Sequence, residues 1–188
     1  MIPGEDACCI LLYGDIGEYS DVTAAAIVRE LMEAEASGKR IDVRINSNGG
    51  DVYTGIAIFN ALRGSKADIH IYVDGIAASM ASVIALCGKP VEMSKYARLM
   101  LHSVSGGCYG NKTELRRCLE EVEALENTLC EMYAPKLGTS VEDIRARYFD
   151  DADHWLKADE ALALGFIDGV YDADPVPEDS CLLYTSDA

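Results

Sequence analysis

Short apolar runs alternate along this chain with stretches in which apolar residues recur every three to four positions, the mark of helices between strands. Ala7 to Tyr13 is a strand-like run closed by Gly14-Asp15. Ser20 to Ala36 then places Ala24, Ile27, Val28 and Leu31 on one helical face, with Ser20 or Asp21 as N-cap and Gly38 past the end. Ile41 to Ile45 predicts a second strand, Thr54 to Arg63 a second helix with Ile56, Phe59 and Leu62 on one side, and Ile69 to Val73 a third strand. A helix-like apolar run, Ala81 to Leu86, follows. Strands alternating with helices imply parallel pairing through right-handed crossovers, a fold class that collects ligand chemistry at the carboxyl ends of its strands. Both the Asn46–Gly50 loop and Ser79 fall at such ends.

Two further β-runs, Pro90 to Met93 and Arg98 to His102, bracket the turn Ser94-Lys95-Tyr96-Ala97. Beyond Gly106-Gly107, Asn111 with Glu114 makes an Asn-headed capping box for a long helix that Pro135 and Gly138 stop. Leu115, Cys118, Leu119, Val122, Leu125, Leu129 and Met132 form its single apolar stripe, read either as core packing or as a surface between subunits. Ser140 caps a short helix over Val141 to Tyr148, and a last one, Ala158 to Leu164, is closed by Gly165. After Val170 the chain turns to Asp, Pro and Glu, so one domain is expected over 1–172 and a disordered tail over 173–188.

At 188 residues such a domain buries about 70% of its extended-chain surface, enough for a core. Apolar residues make up 49%, yet no run approaches the roughly 20 needed to span a bilayer, so no membrane partner is expected. Met1 to Asp6 lacks the basic start and long apolar stretch of a signal peptide, and the seven cysteines form no C-x-x-C pair; both point to reduced thiols in the cytoplasm. A net charge of −16 repels a phosphate backbone and argues against nucleic acid. No His, Cys and Asp residues stand at metal-ligand spacing, and no G-x-x-x-x-G-K-[ST] phosphate loop occurs, so neither a metal, a cofactor nor ATP hydrolysis is expected of the chain itself.

The chemistry points to residues 75–82, Gly75-Ile76-Ala77-Ala78-Ser79-Met80-Ala81-Ser82, where small residues surround a serine as a strand gives way to a helix. Unpaired N–H groups face that position, and the small neighbours leave room for a substrate backbone. Upstream stands Ile45-Asn46-Ser47-Asn48-Gly49-Gly50; downstream, Leu99-Met100-Leu101-His102; farther on, Asp153-His154-Trp155-Leu156-Lys157-Ala158-Asp159-Glu160-Ala161 runs to Gly165-Phe166-Ile167-Asp168. In order and spacing these four motifs resemble the ClpP family of serine peptidases, over Ile10 to Val170. Asn48 stands where that family has proline, and with Asp51 to Gly55 after it the segment is closer to the ClpP-like proteases of phages and prophages, which process capsid or scaffold proteins.

The resemblance implies an α/β, ClpP/crotonase-like fold of repeated ββα units with a protruding handle helix. It implies Ser79 as nucleophile, His102 as base, and Asp153 as the orienter of that base, with Asp150 as the fallback. His70 alternates within a strand and is expected to face solvent, and His154 follows Asp153 too closely to act past it. The backbone N–H groups of Gly50 and Met80 form the implied oxyanion hole. Gly49, Gly106 and Gly107 are placed to hold a substrate strand through main-chain bonds, and Ser82 reads as a packing residue. A homo-oligomeric ring is implied, a heptamer or two stacked heptamers, beside an AAA+ unfoldase or acting on phage capsid and scaffold proteins. A crotonase-type acyl-CoA enzyme and an inactive ring subunit are the rival readings. Cys181 to Ala188 matches nothing in the family and resembles translated adapter sequence, so these residues are set apart as a candidate non-native end.

Overall fold

The computed structural model describes residues 7–172. The expectations for 173–188, including the non-native end, lie outside the described residues, as do residues 1–6 of the expected domain. The elements in order are β1 (Ala7–Tyr13), α1 (Ala24–Ala36), β2 (Arg40–Ser47), α2 (Val52–Gly64), β3 (Ile69–Ala78), α3 (Met80–Ala85), β4 (Val91–Met93), β5 (Arg98–Leu101), α4 (Lys112–Leu137), α5 (Val141–Tyr148), β6 (His154–Lys157), α6 (Ala158–Ala163) and β7 (Gly169–Val170). Strands β1-β2-β3-β4-β7 pair in that order, all in parallel. This is the mixed α/β fold with a parallel sheet that the alternating pattern implies.

One face of β1 to β3 carries Ile10, Leu12, Ile41, Val43, Ile45, Ile69, Ile71 and Val73, all buried in the core with α1 to α3. The period-two alternation puts the intervening residues on the other face, which is polar on β2 and β3 and carries Cys9 and Leu11 on β1. There the Asp74 carboxylate accepts from the Tyr13 hydroxyl at 2.6 Å, the Tyr171 hydroxyl at 2.9 Å and Arg44 Nε at 2.8 Å. His70 is half-buried on this face and pairs with Asp68 at 3.3 Å rather than facing solvent freely.

β3 is longer than its apolar run, because it serves two partners in turn. Ile71 to Val73 pair with β4, and Ile76 to Ala78 pair with β5. The two β-runs around the Ser94–Ala97 turn therefore do not pair with each other; both extend β3. β6, which the residue pattern does not signal, lies antiparallel on β5.

Several boundaries differ from the sequence reading. α1 begins at Ala24 with Thr23 as N-cap, because Ser20 and Asp21 belong to a tight loop: Val22 N–H donates to Asp15 O, and Asp21 accepts from Asp15 N–H. α2 starts earlier than Thr54, capped by Asp51, whose carboxylate accepts from Thr54 N–H at 2.7 Å. α4 runs through Pro135 to the left-handed cap at Gly138, with the Asn111–Glu114 capping box in place at its start. Its apolar residues divide into two parts. Leu129, Cys130 and Tyr133 are buried, whereas Leu115 and Leu119 are 48% and 58% exposed, so the stripe is core only in its C-terminal half. Among the described residues no helix is long and apolar enough to cross a membrane.

Candidate active site

Ser79 is the single residue between β3 and α3, and it turns the chain with φ 53° and ψ −127°. For a residue with a Cβ such a conformation costs about 1–3 kcal/mol and persists only where its surroundings impose it. Its N–H donates to Met100 O at 2.9 Å, across the β3–β5 pairing, and its carbonyl accepts from Ser82 N–H at 3.0 Å. The small residues of this stretch are matched to close neighbours. A Cβ on Gly49 would lie 2.6 Å from Ala78 O and 2.8 Å from Met80 N, and one on Gly75 would lie 2.5 Å from Asn46 Oδ1.

Since Ala78 pairs with Met100, the residues that follow the two strands emerge side by side at the same sheet end. His102 thereby brings Nε2 to 2.8 Å from Ser79 Oγ. The β5–β6 ladder then sets where Asp153 lies. Leu101 opposes His154, so the preceding Asp153 lies beside His102, with Oδ1 at 3.4 Å from Nδ1. Asp153 is the more open partner, its side chain 58% exposed against 28% for His102. The turn ahead of β6 is tied to this corner by Asp151 N–H, which donates to Ser103 Oγ at 3.0 Å. Asp150 bonds His154 Nε2 at 2.7 Å, and that contact lowers its carboxyl below the usual range. The fallback acid and the competing histidine are thus engaged with each other.

Gly50 takes φ 144°, and a Cβ there would meet Ile16 O at 2.1 Å, so the loop can pass Ile16 only with glycine. The loop pairs through Ile16 N–H to Gly49 O and Asp51 N–H to Ile16 O, which leaves the Gly50 N–H outside the pairing. Met80 is the first residue of α3, where a helix N–H has no intrahelical acceptor. Gly50, Ser79, Met80 and His102 share the rim of a pocket of about 60 Å³, whose apolar wall is Val52, Val83, Leu129 and Phe149. A wider groove of about 770 Å³ beside Phe59, Lys89 and Lys136 contains none of these residues. Gly106 and Gly107 lie in an exposed loop between β5 and α4, and among the described residues their backbone takes no hydrogen-bond partner.

Ser82 is more than packing. It is fully buried, and its hydroxyl bonds Ser79 O at 2.6 Å and Tyr133 Oη at 2.6 Å. Tyr133 lies on α4, far along the chain, and nothing local to residues 75–82 announces it. No three His, Cys, Asp or Glu residues among those described stand together as a metal-binding group.

A hydroxyl, an imidazole and a carboxylate in sequence at the end of a parallel sheet are the equipment of a serine-type hydrolase. Comparison with known proteins identifies which one. The Clp protease family matches residues 7–174. The ATP-dependent Clp protease proteolytic subunit of Bacteroides fragilis (strain ATCC 25285) is 32% identical over 157 residues, 81% of this chain and 75% of that protein. Proteolytic subunit 1 of Prochlorococcus marinus subsp. pastoris (strain MED4) is 35% identical over 158 residues, 82% of this chain and 80% of its own, and that of strain MIT 9312 is 35% identical over 163, 85% and 83%. The chain belongs to the Clp protease family and is a serine-type peptidase.

Proposed function

We propose that this chain is an endopeptidase in which Ser79 is the nucleophile, His102 the general base and then acid, and Asp153 the group that holds the imidazole. The contact of 2.8 Å between Ser79 Oγ and His102 Nε2 carries the reading. Nε2 accepts the serine proton only in the tautomer that keeps the ring proton on Nδ1, the side on which Asp153 lies. Oγ adds to the substrate carbonyl carbon, the oxygen becomes negative, and the Gly50 and Met80 N–H groups donate to it, a reading supported by their place on one pocket with Ser79. His102 returns the proton to the departing amine, and water repeats the cycle on the acyl-enzyme. The unpaired backbone at Gly106 and Gly107 supports capture of the substrate as an added strand, held by main-chain bonds with little demand on side chains, and Gly49 is read as a further part of that strand site.

The working form is a homo-oligomeric ring, a heptamer or two stacked heptamers, supported by Leu115 and Leu119, which stand exposed on the N-terminal half of α4. Relatives named as subunits of an ATP-dependent protease support work beside a separate AAA+ unfoldase on unfolded proteins. Asn48 and the segment after it support a phage role on capsid or scaffold proteins. The site of action is the cytoplasm.

A fluorophosphonate probe tests the chemistry directly. It is expected to label the chain once, with peptide mapping placing the adduct on Ser79; an acyl-CoA enzyme or an inactive ring subunit would leave the probe unreacted. A second comparison separates the acids. Asp153→Asn is expected to lower turnover of a fluorogenic peptide roughly a hundredfold by removing the group that favours the working tautomer, and Asp150→Asn to stay within about twofold. Equal, mild effects from the two variants would place the third member elsewhere.

A further inference from the structure

The nucleophile's turn is held from behind by a chain of hydrogen bonds that begins on a different element. A carbonyl oxygen can only accept, so at 2.6 Å the Ser82 hydroxyl gives its one proton to Ser79 O. That commitment fixes the direction of the next bond: Tyr133 donates to Ser82 Oγ, also at 2.6 Å. Ser82 is 0% exposed and Tyr133 2% exposed, so water does not compete for either group. Burial raises the phenol well above its usual ionisation range, which keeps it a neutral donor. The Tyr133 ring is in turn set edge-on against Phe149, with centroids 6.2 Å apart. The result is a relay from α4 into the backbone of Ser79, one of two non-glycine residues at positive φ among those described.

We propose that Ser82 and Tyr133 are positioning residues for the nucleophile: through the carbonyl of Ser79 they hold its left-handed turn so that Oγ stays within reach of His102 Nε2. The inference rests on Ser79 being the nucleophile. Neither residue touches the reacting atoms. Their effect is on the population of turns in which the hydroxyl and the imidazole meet, so it belongs in kcat and in the reactivity of Ser79, and not in substrate affinity. The Ser82 amide bond to the same carbonyl, at 3.0 Å, survives their removal, so the turn is loosened and not abolished.

The test uses the full chain with Ser82→Ala, Tyr133→Phe and the double variant. Ser82→Ala is expected to lower kcat about 10- to 100-fold, the scale of a small misplacement of a reacting group, with KM within about twofold. Tyr133→Phe, which keeps the ring and removes one bond, is expected to cost about threefold to tenfold in kcat. Because the tyrosine acts through the serine, the double variant should match Ser82→Ala within about twofold, not the product of the two losses. Rates of fluorophosphonate labelling at Ser79 should fall in parallel, with the assembly state unchanged; the thermal midpoint should stay close to wild type in Tyr133→Phe and fall in Ser82→Ala, which leaves the buried Tyr133 hydroxyl without an acceptor. Labelling and kcat within twofold of wild type in both folded variants would overturn the proposal, as would losses confined to KM or losses that multiply. If Ser82→Ala does not fold, the isosteric Tyr133→Phe decides alone. Turnover retained by Ser79→Ala would show that the nucleophile reading had failed; wild-type labelling by the two variants beside a dead Ser79→Ala would leave that reading standing and remove only this one.

Discussion

Replacing Ser79 with alanine is expected to abolish peptide turnover and probe labelling while leaving the fold and the assembly as they are. Members of a serine–histidine–acid set fail as a unit, so loss of the nucleophile corresponds to a fall of ~10⁴–10⁶-fold. The structural side of the position is carried by backbone: its N–H to Met100 and its carbonyl to Ser82 are both available to alanine. The hydroxyl itself has His102 as its side-chain partner, and that ring is 28% exposed, so water replaces the missing contact and no buried group is orphaned. Circular dichroism, thermal melting and size-exclusion profiles should therefore overlay those of wild type. More than a few per cent of wild-type turnover in a preparation free of other peptidases would remove Ser79 from the nucleophile's role.

The order of strands and helices was readable because its signals are local. Ile41, Val43 and Ile45 alternate with Asp42 and Arg44, and that alternation survives intact as the buried and polar faces of β2. Asn111 and Glu114 sit three positions apart, and both halves of the capping box form. What was not readable depends on pairing across the chain. In β6, Trp155 and Lys157 are exposed while His154 and Leu156 are only half-buried, so its composition does not mark a strand; the ladder with β5 makes it one. The N-cap of α1 passed from Ser20 or Asp21 to Thr23 because Asp21 is used to close the loop back to Asp15.

The candidate site divides along the same line. Ser79, His102 and Asp153 are far apart in the chain; Ser79 stands out by its small-residue place between strand and helix, His102 and Asp153 only as motifs of a family, and the proximity of all three follows from the β3–β5 and β5–β6 ladders. The support behind them had no motif at all. Ser82 and Tyr133 are 51 residues apart, and a serine one turn into a small-residue helix together with a tyrosine on an amphipathic one gives no sign of contact until the two elements are packed.

Helix α4 supplies the other large expected effect. Its C-terminal half is anchored by Leu129, Cys130 and Tyr133 in the core and by Val104 N–H to Glu126, but its N-terminal half presents Leu115 and Leu119 to solvent and is tied to the body by the polar contact of Tyr53 with Glu121. A helix of 26 residues draws its stability mainly from packing of its apolar face, and the two exposed leucines support the proposal that this face is covered by another subunit. Wild-type protein is therefore expected to run at several times the mass of one chain by light scattering. Leu115→Glu with Leu119→Glu should reduce it to single chains that stay folded, since both side chains already stand in water in the isolated subunit, with a thermal midpoint lowered by the loss of the assembly. Turnover should fall at least about tenfold, because α4 steadies the segment that follows His102 through Glu126 and steadies Ser79 through Tyr133, and a free helix end makes both less exact. Leu129→Glu serves as the contrast: it puts a charge into a site only 6% exposed and should unfold the chain instead of merely separating it. A wild-type protein that is fully active as a single chain would remove both the interface and the ring; a folded, inactive single chain from the double variant would identify assembly as the condition for activity.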